Sequence, residues 1–244
     1  MTLTEVSKKV VIVDRSTSTA QFGPSFRSLR NGPELTLIDT FLSAHPFRIR
    51  PGYRVTIFRE PQIDSGCPDI VAVIWQPRLT LHWPPARLML TKHDFRTIHY
   101  LSQNGPRSQG EIKRIFGRQT EESLSRLTEA RMIYNGKSQW KARPLSSIFC
   151  IRHLIAIEAK LGKTLSAIGQ AILNTRFAAD SYVLLPRLPK NHQVPHEALR
   201  FGISLLNPPA SLHSLTPTGP LSYISWMFND WAWRFDRLSR TETS

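Results

Sequence analysis

Cysteine is nearly absent from this chain: its 244 residues contain two, Cys67 and Cys150. Two thiols are too few for a disulfide framework or a zinc knuckle, and they fit a reducing, cytoplasmic setting. Long apolar runs are absent as well. No stretch of about 18 apolar residues occurs, so the sequence predicts no membrane span. The VVIV run near the start is short and is followed by Asp14, which is not a secretory pattern. Acid is scarce: 18 Asp and Glu stand against 32 Lys and Arg, a formal net charge of +14. That surplus attracts polyanions over a Debye length. Nucleic acid is the leading partner class and an anionic membrane surface the second.

Hydrophobic residues make up 41% and charged residues 20%, which excludes a disordered chain. The length allows one large domain or two small ones. Along the chain, residues 1–30 read as a polar arm with one short strand. PELTLIDTFLSAH then predicts a helix, with Pro33 in its first turn and Leu35, Leu37, Ile38, Phe41 and Leu42 at helical spacing. PGYRVTIFRE reads as a turn plus a strand, and DIVAVIWQP as a buried strand ending at Pro77. From about 88 to 146 the pattern changes to three helices, with Ser108 and Glu111 in capping-box spacing and Thr120 as a second cap. A turn at NGKS and a short basic strand follow. Helix, helix, helix and a basic β wing is the winged-helix order. Strand and helix signals alternate again after 150, and the chain closes on an aromatic helix with Trp226, Trp231 and Trp233. The alternation predicts an α/β fold.

Asp69, Glu158 and Lys160 form the group with chemistry in it. If 151–161 is a strand, Glu158 and Lys160 project to one face while Ile157 and Ala159 project to the other. Carboxylates on two neighbouring strands suit a hard divalent cation such as Mg²⁺ or Mn²⁺. Without a metal, such a pair repels, and one member takes up a proton. The competing reading makes 151–174 one amphipathic helix with Glu158 at the surface.

Cys67-Pro68-Asp69, followed by Glu158-Ala159-Lys160 at the end of an apolar strand, resembles the PD-(D/E)xK motif of restriction-endonuclease-like nucleases. The resemblance covers roughly residues 33–77 and 150–206. It implies a restriction-endonuclease-like core, a mixed sheet flanked by helices. It also implies divalent-metal-dependent hydrolysis of DNA, with Asp69 and Glu158 as metal ligands and Lys160 as a catalytic residue. Some members add a glutamate from the first helix, matched by Glu34. Others place a glutamine on the helix after the lysine, matched by Gln170. Some exonuclease-like members also have a tyrosine four residues later; Asn174 stands there, so that subtype is not expected.

The acid and the ExK triplet are normally a hairpin apart. Here the three-helix segment lies between them, and it reads as an inserted all-α, winged-helix domain. The expected layout is a first core part over 1–87, the insertion over 88–146 and a second core part over 147–244, carrying the aromatic helix. In the insertion, Arg118, Gln119, Ser123 and Arg126 are the residues expected to face DNA from the third helix. Lys137, Trp140, Lys141 and Arg143 are those expected to do so from the wing. Two alternatives stay open: a non-catalytic DNA-binding regulator on a nuclease scaffold, and a nuclease subunit of a transposition or phage-defence complex active only with its partner. A homodimer is compatible with both strands of DNA being cut. No membrane partner is expected.

Overall fold

The computed structural model describes residues 10–17, 23–28, 31–162, 164–190, 193–212 and 218–241. They divide into two compact units, one of residues 1–75 and 152–218, the other of 76–151 and 219–244.

The first unit is built on a six-stranded mixed α/β sheet. Its strands are β1 (Val10–Val13), β2 (Arg54–Arg59), β3 (Ile70–Trp75), β6 (Ile151–Ala159), β7 (Asp180–Leu184) and β8 (Ile203–Leu206), side by side in that order. The β1–β2, β6–β7 and β7–β8 pairs are parallel and β2–β3 is antiparallel. All six residues of β3 are buried, as are all but Arg152 in β6, because both faces of these central strands are covered. Helix α1 (Pro33–Ser43) covers one face. Its Leu37, Ile38 and Phe41 pack on Val55, Ile57, Ala72, Ile155 and Ile157. The opposite face is covered by α6 (Thr164–Asn174) and α7 (Gln193–Arg200), through Ala167, Ile168, Ala171 and Ala198 against Val183 and Ile203. Period-two alternation sends odd-numbered residues of β6 toward α1 and even-numbered ones toward α6. Residues 151–159 are therefore a strand, and the single-helix reading of 151–174 does not hold.

The second unit holds α2 (Lys92–Asn104), α3 (Gln109–Phe116), α4 (Thr120–Glu129) and the hairpin β4 (Ile133–Gly136) and β5 (Gln139–Ala142). A short helix α5 (Leu145–Ile148) and the long α8 (Tyr223–Thr241) complete it. Ser108 and Glu111 form the expected capping box on α3, and Thr91 with Asp94 forms another on α2. Thr120 does not cap α4. It is buried in the first turn, and its hydroxyl donates to the Gly117 carbonyl at 2.9 Å.

One expectation about this unit holds and one needs correction. The turn expected within NGKS is there, at its second half: Lys137 and Ser138 have φ of 54° and 60°, while Asn135 and Gly136 end β4. Pairing of Ile133 with Ala142 fixes that register, and it keeps Ile133 inside. The aromatic helix belongs to this unit rather than to the sheet unit. Its Trp226 packs on Phe149, with ring centroids 5.0 Å apart, and its Trp233 packs on Trp83 at 5.7 Å. A buried ion pair fastens it: Arg87 donates through Nε and Nη2 to the two carboxylate oxygens of Asp230, each at 2.9 Å, while its guanidinium lies 3.3 Å over the Trp83 ring. No helix among the described residues is long and apolar enough to cross a membrane.

Candidate active site

β3 begins where β6 ends, and this brings the two distant acids together. Asp69 immediately precedes β3, and its Oδ2 accepts from the backbone N–H of Ala159 at 2.7 Å. Glu158, one residue earlier in β6, is on the α6 side of the sheet, and its Oε1 accepts from Asn174 Nδ2 at 2.8 Å. Asp69 is 6% exposed and Glu158 3%, so both carboxyls are buried.

Burial governs their protonation. It pushes the Glu158 carboxyl up to about 8; the neighbouring Asp69 charge adds to the rise, and the Asn174 amide and the Lys160 charge oppose it. Burial pushes Asp69 up to about 6, against the Ala159 N–H and the charges of Lys160 and Arg27. The metal-free pair therefore holds a proton near neutral pH, as two carboxylates sharing a dry site must.

At the rim, Lys160 Nζ lies 3.5 Å from Glu34 Oε1. Their side chains are 24% and 48% exposed, so the amine is reachable from solvent. Glu34 thus stands beside Lys160, the partner its place at the start of α1 allows.

Sequence reading missed three groups here. Glu60 immediately follows β2 with φ of 53°, a left-handed conformation that a non-glycine residue holds only where its surroundings impose it. Arg27 donates from Nε to Glu60 Oε2 at 2.6 Å, and its Nη2 also contacts that oxygen and lies 3.7 Å from Asp69 Oδ1. Asn174 is the third. The buried stripe of α6 runs through Ala167, Ile168, Ala171 and Asn174, and Gln170 lies outside it, exposed. The helix-borne amide that reaches Glu158 is therefore Asn174, not Gln170. Cys67 is held as a neutral thiol: burial pushes it up to about 11, and it donates to the Glu60 carbonyl at 3.3 Å.

No protein-family model, no curated protein and no solved structure matches this chain. The chemistry has to be read from the side chains themselves. Among the described residues, no group of three or more His, Cys, Asp and Glu side chains is placed to hold a metal ion. The donor set is instead two adjacent carboxylates. That set fits a small hard cation of the Mg²⁺ type, which binds through one or two carboxylates and keeps several waters for substrate oxygens to replace.

The surface expected to face DNA divides. Arg118, Gln119 and Lys137 are exposed as the sequence reading requires. Ser123 is not: it is fully buried in the α4 interface. Arg126 is not free either, because its Nε and Nη2 donate to the buried Asp94 carboxylate at 2.8 and 3.0 Å. The outward side of α4 carries Glu121, Glu122 and Glu129. On the hairpin, Trp140 exchanges backbone hydrogen bonds with Arg107, while Lys141 stands directly across from Tyr134. Strand alternation puts Lys141 and Arg143 on one side of the hairpin and Trp140 on the other.

Proposed function

We propose that the protein is a divalent-metal-dependent DNA endonuclease with a PD-(D/E)xK active site in its first unit and a winged-helix domain in its second. One observation carries the reading: Asp69 and Glu158, buried and adjacent, meet at the end of a mixed sheet within the electrostatic reach of Lys160. A buried pair of acids is costly unless something uses it. Asp69 and Glu158 would hold Mg²⁺ or Mn²⁺, which when bound lowers the pKa of water and polarises a phosphodiester. Ala159 N–H fixes Asp69 Oδ2, and Asn174 fixes Glu158 Oε1, which leaves Glu158 Oε2 for other work, while Asp69 Oδ1 faces Arg27 Nη2 at 3.7 Å. Lys160 supplies the positive charge that orients a water and offsets charge growing on the phosphate oxygens. Hydrolysis forms a bond from the water oxygen to phosphorus and breaks the bond from phosphorus to the leaving oxygen. Three helices and a basic hairpin, in a chain of net charge +14, support DNA as the polyanion.

A plasmid-nicking assay in Mg²⁺ and in EDTA tests this reading. The native protein is expected to cut only with metal. Asp69→Ala, Glu158→Ala and Lys160→Ala are each expected to lower cutting by at least about a thousandfold while DNA binding in EDTA persists. Undiminished cutting by the Glu158→Ala protein overturns the assignment.

A further inference from the structure

The second unit has a small cavity of about 230 Å³ at the base of its hairpin, walled by Gly105, Pro106, Tyr134, Lys141, Arg143 and Leu145. Tyr134 is 41% exposed there, and the Arg143 guanidinium lies 5.8 Å from its ring centroid. Among the described residues, no carboxylate pairs with Lys141 or Arg143. From Glu129 to Glu158 the sequence has no acid at all, while Arg131, Lys137, Lys141 and Arg143 fall within that stretch. Helix α4 is the reverse. Its exposed side is acidic, and Arg126, its one basic residue, is spent on Asp94. A phosphate backbone is therefore drawn to the hairpin rather than to α4, where Lys113 already pairs with Glu121 and Arg126 lies near Glu122.

We propose that this cavity receives an unpaired base of DNA, with Tyr134 stacking on the base and Lys141 and Arg143 holding the flanking phosphates. The inference rests on the DNA reading above and specifies its substrate: DNA with a single-stranded segment. The cavity is below the size of ordinary small-molecule sites, and it suits one planar ring system. A base inside a duplex shows only its edge, whereas an unpaired base offers the π-face that an exposed aromatic takes. Groove reading needs a helix or ribbon with amide or guanidinium groups facing base edges. The outward side of α4 does not supply that, and this side of the hairpin supplies a ring and two cations.

The test is binding by the full chain in EDTA to a fluorescent blunt duplex and to the same duplex with a single-stranded tail that carries 2-aminopurine. The tailed DNA is expected to bind about tenfold more tightly and its 2-aminopurine emission to be quenched. Tyr134→Ala is expected to remove the preference and the quenching, and Tyr134→Phe to keep both. The Lys141→Ala, Arg143→Ala double variant is expected to weaken both DNAs and flatten the salt dependence. Circular dichroism and melting of each variant confirm its fold. Equal binding of tailed and blunt DNA, or a preference that survives Tyr134→Ala in a folded protein, overturns the inference and leaves the nuclease reading to the nicking assay. Absence of binding to either DNA overturns both.

Discussion

Glu158 is buried at the end of β6, where the Asp69 charge adds to the cost of its ionisation. Its carboxyl sits at about 8 in the fold against an ordinary value of 4.5, and Asp69 is raised to about 6. A raised acid binds its proton more tightly folded than unfolded. Stability is therefore undiminished below the ordinary carboxylate range, and it falls as pH rises from there through about 8. Glu158→Gln removes the larger share of that loss. At pH 8 the variant is expected to melt roughly 5 °C above the native protein, and near pH 4 the two should coincide. Thermal melts across that range check the sign. Millimolar Mn²⁺ is expected to raise the native melting temperature at pH 8 and to leave that of the variant unchanged, since only a carboxylate pair repays the ion. Asn174 acts through Glu158. Asn174→Ala removes the amide that holds Oε1, and it is expected to weaken Mn²⁺ binding by about tenfold in calorimetry while Gln170→Ala has no effect.

Two charges on helix α4, Glu121 and Arg126, are committed to neighbouring helices. Arg126 carries a charge on a helix that was expected to meet DNA, but it closes on Asp94, which also caps α2 through Thr91. Arg126→Ala leaves that buried carboxylate short of its strongest donor. It is expected to lower unfolding stability by about 2 kcal/mol in denaturant titration, whereas Arg118→Ala, at an exposed position, should leave it unchanged. The hairpin turn stores strain at Lys137 and Ser138, both with positive φ. Ser138→Gly relieves one of them and is expected to stabilise by roughly 0.5–1 kcal/mol, read as a shift in denaturant midpoint with no change in slope. Periodicity showed that a hairpin exists here. Its register depended on which residue Ile133 pairs with, and that is decided by burial against the helices.

At the scale of the whole molecule, the second unit is closed by residues from two distant stretches of chain. Arg87 and Asp230 are fully buried, and Arg87 also donates to the Ile148 carbonyl at 3.1 Å. Removing one partner strands a charge in the interior. Arg87→Ala is expected to cost about 3–5 kcal/mol, and Arg87→Met with Asp230→Leu to recover much of it. Differential scanning calorimetry of the three proteins checks the order. Nothing in the sequence joins Arg87 to Asp230, because charge pairing across so many residues leaves no local pattern. The boundaries near 75 and 151, and the place of the aromatic helix in the second unit, were hidden for the same reason.

Local physics determined a good deal from the sequence alone. Strands at 54–59, 70–75 and 151–159, helices at 33–43 and 164–174, and the capping box on α3 follow from alternation, helical spacing and turn chemistry, each set within a few residues. The same reasoning singled out Asp69, Glu158 and Lys160. The contacts made by these residues were a tertiary matter. Strand neighbours brought Asp69 to Ala159; the buried stripe of α6 chose Asn174 over Gln170; the folded positions of Glu60 and Arg27 added a second ion pair; and Asp94 took Arg126 away from solvent. Such choices turn on which groups lose water together, and that depends on distances between segments, not on the order of residues within one.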